Sequence, residues 1–425
     1  VYCCTVEGSH SLALSCGVQI GQCGEYFSVD FSSCNLAVLN LLKYKRADGE
    51  VDVASFQEDV RTTIIAQDIL VSLGEYPTPE IDRVTRSVRT LGLGYTNFGA
   101  YVMSKGWAYD SAEARNFCGA VTALMTGTAY CASAELAKKL GPFPAWKENA
   151  DAMASVLHRH AEACGVEEAR AAVPEAGGAY DPLWRAASSS WKRACASPAG
   201  FRNAQVTVAM PSGTTSFMVD ADTTGIEPAL GLVTHKKLVG GGTIKKTNGR
   251  VGESLKALGY SDLRIELILS VVEETGTVDG AVSEPKHLRV FDCALGDRSI
   301  PWRAHVDMVA AAQPFLSGGV SKSVNLPTTA TLNDIRNVYL YAWEKGLKSV
   351  SIYRDGCKGS QPLSVITKEL KELKMDPREE IGREVKASPR RKLPATRPSI
   401  THKFSVGGEE AYVIAGRYED GTLGE

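Results

Sequence analysis

The sequence predicts an α/β fold, and three observations carry that expectation. Strand-like and helix-like segments alternate through most of the 425 residues, the pattern of buried, largely parallel strands joined by helices. Leu91-Gly92-Leu93-Gly94-Tyr95 is a short apolar run with two glycines, which suits a buried strand where backbones approach closely. Gln205-Val206-Thr207-Val208-Ala209 alternates as a strand does, then enters Met210-Pro211-Ser212-Gly213-Thr214-Thr215-Ser216-Phe217, a tight turn that opens a helix.

Composition bounds the function classes. Hydrophobic residues at 44% and charged residues at 23% allow a large core. The length suits roughly two or three average domains, or one large α/β domain with an appendage. A net charge of −2 offers no polyanion-binding surface, so no nucleic-acid partner is expected. Val1 opens the chain without a signal peptide's basic start, and no segment approaches the ~18 apolar residues that span a bilayer. The expectation is a soluble, cytoplasmic protein without membrane contact. Eleven cysteines, at 3, 4, 16, 23, 34, 118, 131, 164, 195, 293 and 357, are odd in number and scattered, unlike a secreted disulfide framework. No C-x-x-C occurs and no Cys/His cluster has zinc-like spacing, so no metal site is expected.

Taken in order, residues 1–19 show no periodicity and read as a ragged start. Residues 35–75 read as helical, with Asp48-Gly49 as a turn and Phe56, Val60, Ile64, Ile65, Ile69 and Leu70 near a 3.6 period. Pro77 and Pro79 interrupt before a helix ending near Arg89. Asp110 with Glu113 has the form of a capping box ahead of a long helix, whose inner face carries Phe117, Cys118, Val121, Leu124 and Met125. Cys118 and Cys131 read as small core residues. Residues 143–200, rich in alanine and serine, are expected as surface helices with a loop around 174–182. Residues 290–294 and 348–353 read as strands, 306–313 and 334–346 as helices, and 318–325 as a loop into a strand. Residues 364–398 read as a charged linker that includes Pro389-Arg390-Arg391-Lys392. Strand-like alternation resumes at 399–418, as the truncated start of a small β-containing module over 399–425.

Two stretches carry chemistry. In Ile20-Gly21-Gln22-Cys23-Gly24-Glu25-Tyr26 a cysteine and a carboxylate stand two apart, and in an extended segment they share one face. A thiol beside a carboxylate suits nucleophilic or radical chemistry, with Glu25 as acid or base. The same pair also reads as a buried cysteine and a solvated glutamate, and the motif alone does not choose. Cys34 follows in Ser33-Cys34-Asn35-Leu36-Ala37. In the second stretch, Pro211, Ser212, Gly213, Thr214, Thr215 and Ser216 leave backbone N–H groups free to face an anion. That cradle has no P-loop lysine and no Rossmann fingerprint, and an ordinary strand–helix turn is its alternative. Asp220, Asp222 and Glu227, just beyond, suit either a metal or a solvated loop with helix caps.

Together these segments resemble the carboxyl-terminal half of a class II, adenosylcobalamin-dependent ribonucleotide reductase. The similar stretches are SCNLAVLNLL (33–42), LGLGYTNFG (91–99), RNAQVTVAMPSGTTSFMVDADTTGIEP (202–228), KKLVGGG (236–242), QPFLSGGVSKSVNLP (313–327) and GLKSVSIYRDGCKGSQPL (346–363). The resemblance runs from about 21 to 418 and implies the second half of a ten-stranded α/β barrel with a finger loop, over 20–363. It implies a thiyl radical on Cys23 that takes the ribose 3′-hydrogen, Glu25 as base for the 3′-hydroxyl, and Cys34 as one of two reducing cysteines. It also implies that Pro211 to Ser216 hold the phosphates of a ribonucleoside diphosphate, with adenosylcobalamin as cofactor. Nucleotide effectors and a thioredoxin-type reductant are implied for the parent enzyme. Class I enzymes pass the radical through adjacent tyrosines; no Tyr-Tyr pair occurs here, and Tyr353 follows Ile352.

The sequence departs from the family at Gly21, where the finger motif has an asparagine that contacts the ribose. The partner of Cys34, the first half-barrel and the effector loops are expected before Val1, and the re-reducing cysteine pair after Glu425. The chain is therefore expected to be a fragment that needs a missing amino-terminal half or dimer partner, and to aggregate alone through unpaired strand edges. The alternative is a non-catalytic half-barrel with a degenerate finger loop, serving as a structural or nucleotide-binding partner. A glycyl-radical enzyme is the third reading, disfavoured because no glycyl-loop motif precedes Glu425.

Overall fold

Parallel strands need long crossovers, and this chain supplies them as helices. The computed structural model describes residues 12–13, 19–20, 24–27, 29–165, 181–237, 243–357, 363–365, 399–406 and 409–416. β1 (Leu12–Ala13) and β2 (Gln19–Ile20) form a short antiparallel pair. β3 (Leu36–Asn40) leads through a 3-10 turn into α1 (Val53–Leu73) and α2 (Pro79–Val88), which return the chain to β4 (Gly92–Thr96), parallel to β3. Four helices follow: α3 (Phe98–Ser104), α4 (Ala112–Leu140), α5 (Trp146–Gly165) and α6 (Asp181–Cys195). Residues 205–210 then rise beside β4, where the Leu93 N–H donates to Val206 and the Val208 N–H donates back to Leu93.

The next excursion comprises α7 (Gly213–Met218), β5 (Val233–Lys237), β6 (Thr243–Thr247), α8 (Arg250–Ala257), α9 (Asp262–Thr275), α10 (Pro285–Leu288) and α11 (Trp302–Ala312). Residues 318–321 lie against the far side of 205–210, with the Ala209 N–H donating to Gly319 and the Ser321 N–H to Ala209. They run on into β7 (Ser323–Leu326), and α12 (Leu332–Glu344) crosses back to β8 (Ser351–Arg354), parallel to β7. Neighbouring parallel segments therefore stand in the order β3, β4, 205–210, 318–326, β8. Apart from this array, β9 (Leu363–Val365) completes an antiparallel sheet with β5 and β6. β10 (Ser399–Val406) and β11 (Glu409–Gly416) form a hairpin registered from Ser399↔Gly416 to Val406↔Glu409.

The main core is built on α4, which starts at Ser111, whose hydroxyl accepts from the Ala114 N–H. Its small residues let other elements approach: a methyl on Gly127 would stand 3.1 Å from Trp191 of α6. Tyr130 meets Trp191 and Phe201, and the Phe117 ring stacks on Tyr101 at 4.6 Å. A second core gathers Leu232, Val251, Leu255, Ile268, Val272 and Phe291 around β5, α8 and α9. Inside the main body lies a buried ion pair. Arg89, in the left-handed region at φ 48°, donates through Nε to Asp68 Oδ1 at 2.9 Å and through Nη2 to the Ser72 hydroxyl at 2.7 Å. Asn203 donates to the same Asp68 oxygen and to the Arg89 carbonyl, and the Arg202 guanidinium stands 3.5 Å from Asp68 Oδ2, so α1, the turn before β4 and the approach to 205–210 share one ionic knot.

Several expectations need correction. The helical reading of 35–75 missed β3, because a five-residue apolar run fits either structure until its neighbour, here β4, is known. Residues 290–294 are a 3-10 turn and a bend rather than a strand. The cap of α4 is Ser111, while Asp110 pairs with Arg289. α6 is no surface helix: Leu183, Ala187, Trp191 and Ala194 are buried against its neighbours. The loop expected around 174–182 falls largely outside the described residues. By length and composition α4 could cross a membrane, contrary to the sequence reading, yet the window that qualifies is wholly buried within the protein. It is a core helix. Cys118 is buried as expected, and Cys131 is half-buried, its thiol facing the Ser190 carbonyl.

Two outcomes follow. Arg89→Met leaves Asp68 buried without its main partner and should cost about 3–5 kcal/mol in urea unfolding; a loss under about 1 kcal/mol would show that Asn203 and Arg202 suffice. Burial pushes the His160 imidazole down to about 4, its Nδ1 held by the Pro314 carbonyl at 2.6 Å. The unfolded chain takes up that proton first, so stability is complete above about pH 6.5 and is lost progressively as pH falls towards 4. His160→Gln should flatten the urea midpoint between pH 6.5 and 4.5 by about one proton's worth of slope; an unchanged slope would show the imidazole is not titrating there.

Candidate functional site

In a parallel array every strand ends on the same side, and that is where ligands meet such sheets. Here β3 ends at Asn40, β4 at Thr96 and Asn97, and the third strand at Met210, and side chains join all three ends. Asn97, held at φ 67°, donates through Nδ2 to Asn40 Oδ1 at 2.8 Å. Its Oδ1 accepts from the backbone N–H groups of Asp222 (2.7 Å) and Thr223 (3.0 Å). Thr96 donates to the Thr223 carbonyl or shares a proton with the Ser216 hydroxyl at 2.8 Å. The loop after the turn is thus clamped onto the ends of β3 and β4.

The turn itself is strained and open. Ser212 adopts φ 53°, a left-handed conformation unusual for serine, with its hydroxyl donated to the Met210 carbonyl. Helix α7 starts one residue later, so the N–H groups of Gly213, Thr214 and Thr215 have no intrahelical acceptor. A methyl on Gly213 would meet nothing within 4 Å among the described residues, and Pro211 and Gly213 are exposed. Below the turn, Gly225 at φ 50° lies flush against the strand end: a methyl there would be 2.3 Å from the Met210 oxygen.

Residues 24–27 lie across the same strands. The Gly319 N–H donates to the Glu25 carbonyl at 2.8 Å, and the Ser349 hydroxyl lies 3.0 Å from the Gly24 carbonyl and 2.9 Å from that of Val320. Bare backbone permits this approach. A methyl on Gly319 would sit 2.2 Å from the Gly24 oxygen and 2.5 Å from the Phe27 ring, and one on Gly318 2.9 Å from the Glu25 oxygen. Tyr26 packs with Val208 and Met210, which ties this segment to the strand that ends in the Ser212 turn. Glu25 is buried, and its Oε2 has no hydrogen-bond partner among the described residues. A buried carboxylate oxygen left open in this way is available to a hydroxyl. Burial raises the Tyr26 phenol well above its ordinary value, with Thr90 beside it and Cys34 near enough to add to the effect.

A third cluster lies behind the loop. Lys322 is wholly buried, and its ammonium reaches Glu227 Oε2 (2.8 Å), His305 Nδ1 (2.7 Å) and the Ser323 carbonyl (2.8 Å). Glu227 Oε1 accepts the Ser323 N–H at 2.7 Å. Burial lowers the lysine and Glu227 opposes that; burial and the lysine hold His305 well below its ordinary value, so the imidazole is neutral.

Residues 21–353 match the family described as ribonucleotide reductase, barrel domain. The chain belongs to the ribonucleotide reductase family. It is 45% identical to a vitamin B12-dependent ribonucleotide reductase of Rhodopirellula baltica, over 95% of this chain and 39% of that protein. It is 44% identical to a protein of the same name from Streptantibioticus cattleyicolor, over 93% of this chain and 68% of the relative. A vitamin B12-dependent ribonucleoside-diphosphate reductase of Mycobacterium tuberculosis is 29% identical over 80% of this chain and 42% of its own length. The chain spans about two fifths of the length of the Rhodopirellula protein.

Within this reductase barrel domain, the residues singled out from sequence are distributed as follows. Gly21, Gln22 and Cys23 lie outside the described residues. Glu25 is buried in the array; Cys34 is exposed just before β3, where its neighbour Asn35 exchanges hydrogen bonds with Gln67. Of the turn, Pro211 and Gly213 are exposed and Ser212 is buried, while the Ser216 hydroxyl is engaged by Thr96. The Thr214 side chain is outside the described residues. The carboxylate of Asp222 is matched by Arg250 and Lys246 at 3.0 and 3.5 Å, and among the described residues no cluster of His, Cys, Asp or Glu could hold a metal. The sequence reading missed Asn40, Asn97 and the Lys322–Glu227–His305 cluster. Glycine pairs were the available signal for Gly318 and Gly319, but nothing in SKSVN marks its lysine as buried.

Gly319→Ala forces the Gly24 carbonyl and Phe27 away from the array. Amide exchange at 24–27 should rise at least tenfold while α4 is unaffected, with an overpacking cost of about 1–3 kcal/mol. Identical exchange in this segment would disprove the contact.

Proposed function

We propose that this chain is the catalytic-barrel portion of an adenosylcobalamin-dependent enzyme that reduces ribonucleoside diphosphates to 2′-deoxyribonucleoside diphosphates for DNA synthesis. One observation carries the reading. A buried carboxylate, Glu25, with one oxygen unpartnered among the described residues, lies on the strands that lead into an amide-rich turn at 211–216. On this reading residues 24–27 belong to the finger of a ten-stranded barrel, and the parallel segments from β3 to β8 are its second half, within residues 20–363. Residues 1–19 stand outside that unit, 364–398 form a linker whose first two residues belong to β9, and 399–425 begin a small β-containing module.

The chemistry then falls to named groups. Cys23 carries the radical that removes the ribose 3′-hydrogen, and Glu25 takes the 3′-hydroxyl proton through Oε2. Cys34, at the mouth beside Tyr26, contributes one of two thiols whose oxidation to a disulfide supplies the electrons. The main-chain amides of Gly213, Thr214 and Thr215 face the diphosphate, with Pro211, Ser212 and Ser216 shaping the turn. The diphosphate level follows the name of the Mycobacterium relative. Adenosylcobalamin, named for the relatives as vitamin B12, supplies the radical when bound. The described residues display no corrin cradle, so none is assigned to hold it.

Partners follow from the same placement. β3 pairs with β4 along one edge and with no strand along the other among the described residues. Val29, Phe31, Leu36, Ile69, Leu70 and Leu73 are exposed around it. The amino-terminal half of the barrel, supplied by the rest of the protein or by a partner, would cover that edge and bring the second cysteine and the effector-nucleotide loops. A thioredoxin-type reductant would restore the disulfide. The competing reading is a half-barrel whose finger has lost function, and the observation that favours it is Gly21, which has no side chain for the ribose hydroxyls.

Assembly with the amino-terminal half of a relative, assayed for cobalamin-dependent dCDP formation, separates the two. Activity that falls to background in Cys23→Ser, and by about 10²–10⁴-fold in Glu25→Gln, is the expected result. An inactive assembly that Gly21→Asn restores would establish the degenerate finger. Without its other half, the chain should sediment as aggregates; a monodisperse species at micromolar concentration would contradict the open edge.

A further inference from the structure

We infer that Lys322 is a positioning residue for substrate phosphate: it fixes the loop on which the 211–216 turn rests. This rests on reading that turn as the phosphate site.

A buried ammonium is tolerated only where its donors are matched. Lys322 has three N–H groups and three acceptors, Glu227, Ser323 and His305, each on a different part of the fold. Glu227 is held from both oxygens, by the ammonium and by the Ser323 N–H. Its backbone has no slack either: a methyl on Gly99 would stand 2.4 Å from the Glu227 carbonyl, and the Tyr109 hydroxyl donates to Ile226 at 2.6 Å. Two residues upstream, Gly225 lies against the Met210 carbonyl, where even a methyl would not fit. Movement of Glu227 is therefore passed through Gly225 to Met210, the residue from which the strained Ser212 turn departs.

On the other side of the loop, Asn97 and Thr96 hold Asp222 and Thr223 to β3 and β4. The loop is a bridge anchored at both ends: at 222–223 by Asn97 and Thr96, with Arg250 and Lys246 on the Asp222 carboxylate, and at Glu227 by the buried Lys322. The anchorage at Glu227 ties it to the start of β7 and, through His305, to α11. Lys322 thereby couples the register of strand 318–326, against which Glu25 lies, to the position of the turn. Neither residue of the ion pair belongs to the 211–216 turn. Their role is to keep the base and the phosphate amides at a constant separation.

The test uses the assembled enzyme and CDP as the probe, measured by calorimetry and by initial rates. Lys322→Met should weaken CDP binding at least tenfold and raise KM in step, with kcat at saturation reduced less than threefold. Amide exchange at 210–228 should rise while α4 is unchanged. Because a lone buried Glu227 could unfold the single variant, the double variant Lys322→Met with Glu227→Gln removes both charges. It should fold and still bind CDP at least tenfold more weakly, since the tether is gone. Full affinity in the double variant would show that only charge balance mattered and would overturn the inference. So would unaltered affinity in Lys322→Met beside an unaltered enzyme that binds CDP. An unaltered enzyme that binds no CDP would instead remove the phosphate reading of the turn, and this inference with it.

Discussion

The structure depends on places where backbone meets backbone with no side chain between. Gly94 in β4, and Gly318 and Gly319 in the strand two places along, are such points, while Gly92 makes room for neighbouring side chains. A methyl on Gly94 would lie 2.9 Å from the Val208 carbonyl, and one on Gly92 2.6 Å from Leu36. On the opposite flank the two adjacent glycines receive residues 24–27. The array can therefore hold a chain segment across its strands, with the Glu25 carbonyl bonded to Gly319 and its carboxylate enclosed. Side chains at those glycines would lift the segment off and expose the carboxylate to water. The enclosure of Glu25 is set first by what the strands lack.

Two buried ionic knots stabilise that arrangement, and in both the buried charge is paired with an opposite one. The Asp68–Arg89 pair with Asn203 joins α1 to the entries of β4 and of 205–210. The Lys322–Glu227 pair with His305 joins the exit of the third strand to the start of β7. Buried pairs add little net stability compared with apolar packing, but they penalise every arrangement in which one partner is missing. Placed at strand entries and exits, they discriminate against register shifts that apolar contacts alone would tolerate.

Much of this was legible beforehand. Leu91 to Tyr95 was read as a buried strand because glycines amid apolar residues allow close approach, and β4 is buried throughout. The strand–turn–helix at 205–218 was read from alternation followed by Pro-Ser-Gly, and both parts are present. β3 was read as helix, since a five-residue apolar run has no period of its own. The 290–294 segment reads as a strand for the same reason, and among the described residues its strand-type pairing is a single bridge from Cys293 to Ser299. Glu25 was singled out by its spacing from Cys23, but its burial beneath Gly318 and Gly319 could not be read from residues some 290 positions away.

Local sequence thus determined the α/β class, most helix positions, the strained turn at Ser212 and the family resemblance carried by its motifs, because each rests on residues within a few positions of one another. Tertiary structure alone decided which carboxylate is enclosed, which lysine is buried, and how Asn40, Asn97 and Asp222 meet at the strand ends. Those outcomes depend on contacts between segments tens to hundreds of residues apart. Pairing of that range is set by strand order and register, and a side chain's type does not reveal which backbone will lie against it.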